Sequence, residues 1–120
     1  MADVAQQLRF LDGLFQIELH PTGQGLPQDD AWLAVVRAPD GVTVITRAKG
    51  EGDHWIALYS GDTAHDLDVP GMLSSLLLPL KSAGIPVFVA STHTADVVLV
   101  PSARRTKVIE ALESAGHLVT

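Results

Sequence analysis

Asp68-Val69-Pro70-Gly71-Met72-Leu73 reads as the start of a helix. It lies between a β-rich run, Trp55-Ile56-Ala57-Leu58-Tyr59-Ser60, and an apolar, helix-like run over residues 73–80. Asp68 is a residue type that caps helices, Pro70 has the fixed φ of a first turn, and Gly71 leaves the backbone bare for close approach. A helix start of this kind presents free amide N–H groups and the positive end of the helix dipole, which together suit a carboxylate. The same residues also make a sound helix start with no ligand at all.

Working forward from Trp55, the spacing predicts a strand over residues 55–60, a polar loop, and a helix over residues 70–83 that Gly84 ends. Pro79 inside that helix removes one backbone bond and is expected to kink it. A buried strand follows at 85–91, a turn at 92–95 and a strand at 96–100. Ser102 then caps a helix over 103–115 with Val108, Ile109, Leu112 and Ala115 on one face, and residues 117–120 close as a short strand. The order is β-α-β-β-α-β, the ferredoxin-like split unit, so the fold class is α+β. Working backward, Leu14-Phe15-Gln16-Ile17-Glu18-Leu19 alternates as a half-buried strand does, and 20–30 is a loop. Residues 32–37 and 42–47 form a hairpin about the turn Ala38-Pro39-Asp40-Gly41. The chain divides into a smaller β-rich half-module, 1–54, and the split unit, 55–120.

In the split unit the first and second strands run parallel with the third between them. The loop after the first strand and the turn after the second therefore leave the sheet at one edge. Residues 66–71 are expected to face 91–96, so that Asp66, Asp68 and Asp96, with the Ser91 and Thr92 hydroxyls, converge near one helix N-terminus. Amides for a carboxylate beside carboxylates for an ammonium or guanidinium suit a zwitterion. In the plainer reading, Asp96, Ser91 and Thr92 only satisfy the amides of their own turn.

Composition narrows the function classes. The 120 residues carry a net charge of −6, and 47% are hydrophobic, enough for one packed core. No basic patch is visible, which argues against nucleic acid and anionic membranes as partners. The absence of cysteine excludes disulfides, thiol catalysis and thiolate zinc sites. Residues 1–7 lack the pattern of a signal peptide, and the apolar run Leu76-Leu77-Leu78-Pro79-Leu80 is too short to cross a bilayer, so the cytoplasm is expected.

Several segments together resemble the ACT domain family. Residues 68–73 resemble its D-x-P-G-x-L signature. Trp32-Leu33-Ala34-Val35-Val36-Arg37-Ala38-Pro39-Asp40-Gly41 resembles its aromatic strand and R-x-P-D turn. Gly71-Met72-Leu73-Ser74-Ser75-Leu76 and Pro79-Leu80-Lys81-Ser82-Ala83-Gly84-Ile85 resemble its first helix, and Ser91-Thr92-His93-Thr94-Ala95-Asp96 its S-T-x-x-T-D turn. Ala111-Leu112-Glu113-Ser114-Ala115-Gly116-His117 resembles its A-L-x-x-A-G-H ending. The chain is similar to short two-module bacterial ACT proteins and, more distantly, to tandem-ACT arginine sensors and the regulatory half of aspartate kinases. The sequence departs from the pattern at Pro70, where a polar residue is common, at His93, where an aromatic is usual, and at Ala95, which replaces Thr.

The resemblance implies binding of an amino acid at an interface between ACT units, with regulatory output through a homodimer or an unidentified protein partner. The expected ligand-binding residues are Asp66, Asp68, Val69, Pro70, Gly71, Met72, Leu73, Ser91, Thr92 and Asp96. The alternative is a ligand-free interaction module that acts by dimerising. His65, His93 and nearby carboxylates match no metal motif, and no nucleophile, phosphate-loop or dinucleotide pattern is present, so neither a metal, a cofactor nor catalysis is expected.

Overall fold

The structure, a computed structural model, describes residues 5–63 and 70–120. Along them run β1 (Gln7–Phe10), β2 (Phe15–Pro21), β3 (Trp32–Ala38), β4 (Gly41–Arg47), β5 (Trp55–Tyr59), α1 (Ser74–Ser82), β6 (Phe88–Val89), β7 (Val97–Pro101), α2 (Arg105–Ser114) and β8 (Leu118–Val119). The fold is α+β, with one sheet of eight strands and two helices among the described residues.

The anticipated hairpin is β3–β4, paired from Ala38↔Gly41 outward. Gly41 is required there. Its φ is 137°, and a Cβ would fall 2.3 Å from the His20 carbonyl oxygen on β2, which pairs with β4 along its whole length. From Trp55 onward the elements follow β5-α1-β6-β7-α2-β8, as expected from the sequence. β7 is antiparallel to both β5 and β6, so β5 and β6 run parallel with β7 between them.

Four local expectations change. Helix α1 begins at Ser74, because Pro70 to Leu73 form a turn before it. Strand β6 is limited to two residues, since Pro86 supplies no N–H for a ladder. Ser102 makes no side-chain cap: residues Ser102–Arg104 form a 3₁₀ turn, and α2 starts at Arg105. Gln7–Phe10, which carries no clear strand signal, is the strand β1. It pairs antiparallel with β5 (Phe10↔Leu58) and parallel with β8 (Leu8↔Val119), so an N-terminal strand stands between the first and last strands of the C-terminal part.

Each face of the central strands has its own core. Ile56 and Leu58 of β5 pack with Leu8, with Leu76 and Leu80 of α1, and with Val108 and Leu112 of α2. Ala57, on the opposite face, packs with Val97 and Leu99 of β7 and with Phe15 and Ile45 from β2 and β4. Strand β2 touches β5 through a single pair, Phe15↔Trp55. The β2–β4 strands thus bury one face of β5 and β7 while the helices bury the other. No helix among the described residues is long and apolar enough to cross a membrane.

Candidate functional site at the glycine turn

Gly71 has φ of 82°, a left-handed conformation that side chains rarely adopt. Among the described residues, a Cβ built on it would meet nothing nearer than the Ser74 hydroxyl at 4.0 Å. The Gly71 carbonyl already accepts the Ser75 amide at 3.0 Å and the Ser74 hydroxyl at 3.2 Å, which turns the chain into α1. The amides of Met72 and Leu73 have no acceptor among the described residues, as the first turn of a helix requires when no side chain caps it. Asp66, Asp68 and Val69 lie outside the described residues, as does the expected Asp68 cap. Leu73 occupies the N-cap position without a capping bond.

The second half of the anticipated site is a tightly bonded turn. Ser91 donates its hydroxyl to Asp96 Oδ1 at 2.8 Å. Thr92 and Ala95 exchange backbone and hydroxyl bonds, with the Thr92 amide on the Ala95 carbonyl at 2.8 Å and the Ala95 amide on Thr92 Oγ1 at 3.0 Å. The Asp96 amide donates to Ser60 Oγ at 2.8 Å, and the Ser60 amide returns a bond to the Asp96 carbonyl at 3.0 Å. Asp96 is 5% exposed. Of the three side chains, Thr92 accepts a turn amide, as in the plainer reading, whereas Ser91 and Asp96 bond to each other. Ala95 is buried in the core, whereas His93 is exposed. This turn and the chain leaving β5 emerge at the same end of the sheet, because Tyr59 pairs with Val97 and Val89 with Val98.

A buried network behind the glycine turn was not legible as a site. Gln6 donates through Nε2 to the Met72 carbonyl and to Ser75 Oγ, both at 2.8 Å, and Ser75 Oγ donates to the same carbonyl at 2.8 Å. The Gln6 amide donates to His117 Nδ1 at 3.0 Å, and His117 Nε2 donates to the Ser75 carbonyl at 2.9 Å. These two bonds assign the neutral Nε2–H tautomer. The Ser75 carbonyl is available because its helical donor would be the amide of residue 79, and Pro79 has none. His117 fills the vacancy. The sequence signal was present in two places, a proline four residues after a serine in an apolar helix and a histidine after the terminal Ala-Gly, but nothing local links them.

Among the described residues no group of three His, Cys, Asp or Glu side chains is placed to hold a metal ion.

No curated protein matches the chain. The solved structure of protein Atu0741 from Agrobacterium tumefaciens is similar over 98% of this chain and 93% of that one, with 24% identity and a TM-score of 0.81. Protein VC0802 from Vibrio cholerae, of unknown function and described as a possible transport protein, is similar over 97% and 91%, with 15% identity and a TM-score of 0.76. At these identities the likeness speaks for a shared fold. Residues 51–114, more than half of the chain, match the ACT domain family. ACT domains are regulatory, small-molecule-binding modules, and this chain belongs to the ACT domain family.

Proposed function

We propose that the protein is a regulatory sensor of an amino acid, bound at the turn of residues 68–73 where two ACT units meet in a homodimer. Residues 55–120 act as a ferredoxin-like ACT unit, and residues 1–54 as a half-module that lends it β1. The ligand's α-carboxylate is held by backbone N–H groups within residues 68–73, those of Met72 and Leu73 among them. Asp66 takes the ammonium. Asp96, with Ser91 and Thr92 at the neighbouring turn, is the alternative partner for the ammonium or for a basic ligand side chain. The reading rests chiefly on Gly71: a left-handed glycine, followed by amides without acceptors among the described residues.

Thermal unfolding against each of the twenty amino acids tests it. Ligand at about a hundred times its dissociation constant stabilises a fold by about 2.7 kcal/mol, a shift of several degrees for a domain of this size. The expected result is a shift with one amino acid or one chemical class, absent in Gly71→Asp. No shift with any of them at millimolar concentration removes the sensor reading. What then stands is a module that works by pairing alone, which the exposed Leu118 on β8 and Leu78 on α1 favour; sedimentation velocity reads that directly.

A further inference from the structure

The glycine turn lies beyond the Tyr59 end of β5. At the other end, about 13 Å along the strand by its usual rise, Trp55 stands between two open clefts of about 540 Å³ and about 490 Å³. The smaller opens where β2 and β5 part after their single pair, Phe15↔Trp55. Beyond that pair β2 runs on beside β4, and the cleft opens between Ile17 on one wall and Trp55 and Phe88 on the other. The larger cleft has Trp55, Pro86 and Pro101 as its apolar walls. Residues 52–55 line both.

The charges around Trp55 are of one sign. Asp53 lines both clefts and Glu51 lines the smaller one, together with Glu18. Neither cleft is lined by a lysine or an arginine. Glu18 is engaged by Gln16 and His20. Asp53 and Glu51 are exposed and have no hydrogen-bond or ion-pair partner among the described residues. His54 is anchored to the floor of its own loop, donating Nε2–H to the Gly50 carbonyl at 3.0 Å, and the His54 carbonyl accepts the Ser102 amide at 3.0 Å. The loop that carries the carboxylates is thus closed on itself at Gly50 and tied to the turn at Ser102.

We propose that the smaller cleft beside Trp55, which Asp53 and Glu51 both line, is a second binding site, for a small organic monocation: an ammonium or guanidinium head on a short apolar stem. The indole face attracts a cation, and Asp53 and Glu51 are free to take its N–H groups. Ile17 and Phe88, on the walls of the same cleft, take the stem. An anion would meet the Asp53 and Glu51 carboxylates, and a neutral apolar molecule would leave the charges unused. Cleft volumes in this range suit ligands of that size.

Trp55 supplies the readout. Trp32→Phe leaves it the sole tryptophan, and its fluorescence is titrated with pentylammonium, 1-pentanol and pentanoate, which differ in charge and share a stem. The expected result is a saturable change with pentylammonium at millimolar concentration, at least tenfold weaker binding of pentanol and pentanoate, and an at least fivefold loss of affinity in Asp53→Asn combined with Glu51→Gln. Asp30→Asn, a carboxylate elsewhere on the surface, leaves the affinity unchanged, and so does Gly71→Asp. Equal binding of pentanol, preference for pentanoate, absence of saturation, or unchanged affinity in the Asp53/Glu51 double variant overturns the proposal. Loss of binding in Gly71→Asp overturns the claim that the site is separate from the glycine turn.

Discussion

Gly41 and Gly71 both hold positive φ, yet their substitution is predicted to differ sharply. At Gly71, among the described residues, the backbone conformation alone resists a side chain, so Gly71→Ala is expected to destabilise by about 1–2 kcal/mol. At Gly41 a Cβ also collides with a backbone carbonyl that strand pairing holds in place, so Gly41→Ala is expected to exceed that figure. Urea denaturation of the two variants checks the order; equal losses would mean that the β2–β4 ladder yields easily. The turn at Gly41 was readable from Ala38-Pro39-Asp40-Gly41, whereas Gly71 was read as bare backbone within a helix start. The fate of Asp96 was not readable. Whether a carboxylate faces a ligand or a neighbouring hydroxyl depends on rotamers, and Ser91 sits close enough in sequence for either role.

Pro79 and His117 form a pair that only the folded chain brings together. The proline withdraws the helical donor of the Ser75 carbonyl, and the imidazole supplies another from the far end of the chain. His117→Ala is expected to cost about 2–4 kcal/mol, since it strands two buried polar groups, the Ser75 carbonyl and the Gln6 amide, as well as removing packing. Pro79→Ala restores an amide at the position from which helix bonds to Ser75 are made. In that background the loss from His117→Ala is predicted to shrink by about 1 kcal/mol, because one of the two groups keeps a donor. A double-mutant cycle by chemical denaturation measures this coupling; strictly additive losses would show that the imidazole bond contributes nothing through Ser75. Helix α1 was legible from its apolar run and its terminal glycine. Its first residue was misplaced because Pro70 and Gly71 belong to the turn that precedes the helix, a distinction that propensity alone does not make.

Across the whole molecule, β1 carries the N-terminal end of the chain into the pairing of the first and last C-terminal strands. It stands between β5 and β8, and its Leu8 lies in the core that the helices share. Arg105 of α2 stacks over its Phe10, 4.1 Å from the ring centre. A chain of residues 55–120 alone is therefore predicted to lose cooperative thermal unfolding, and a peptide of residues 1–14 added in trans to restore it; full cooperativity of the fragment would mean that β8 pairs well with β5 unaided. The sequence reading did not find this strand, since four residues with an arginine and a glutamine among them show no period, and their partners lie some fifty and more than a hundred positions away. The β-α-β-β-α-β order was legible because each of those elements carries its own pattern. The central claim, that the glycine turn holds a regulatory amino acid, is tested most directly by following the backbone amide resonances of the ¹⁵N-labelled protein during titration with the amino acid that raises its melting temperature. The account predicts that the amides of Met72, Leu73 and Ser74 shift first and most, and that Gly71→Asp abolishes those shifts. Saturable shifts that spare these three amides would contradict it.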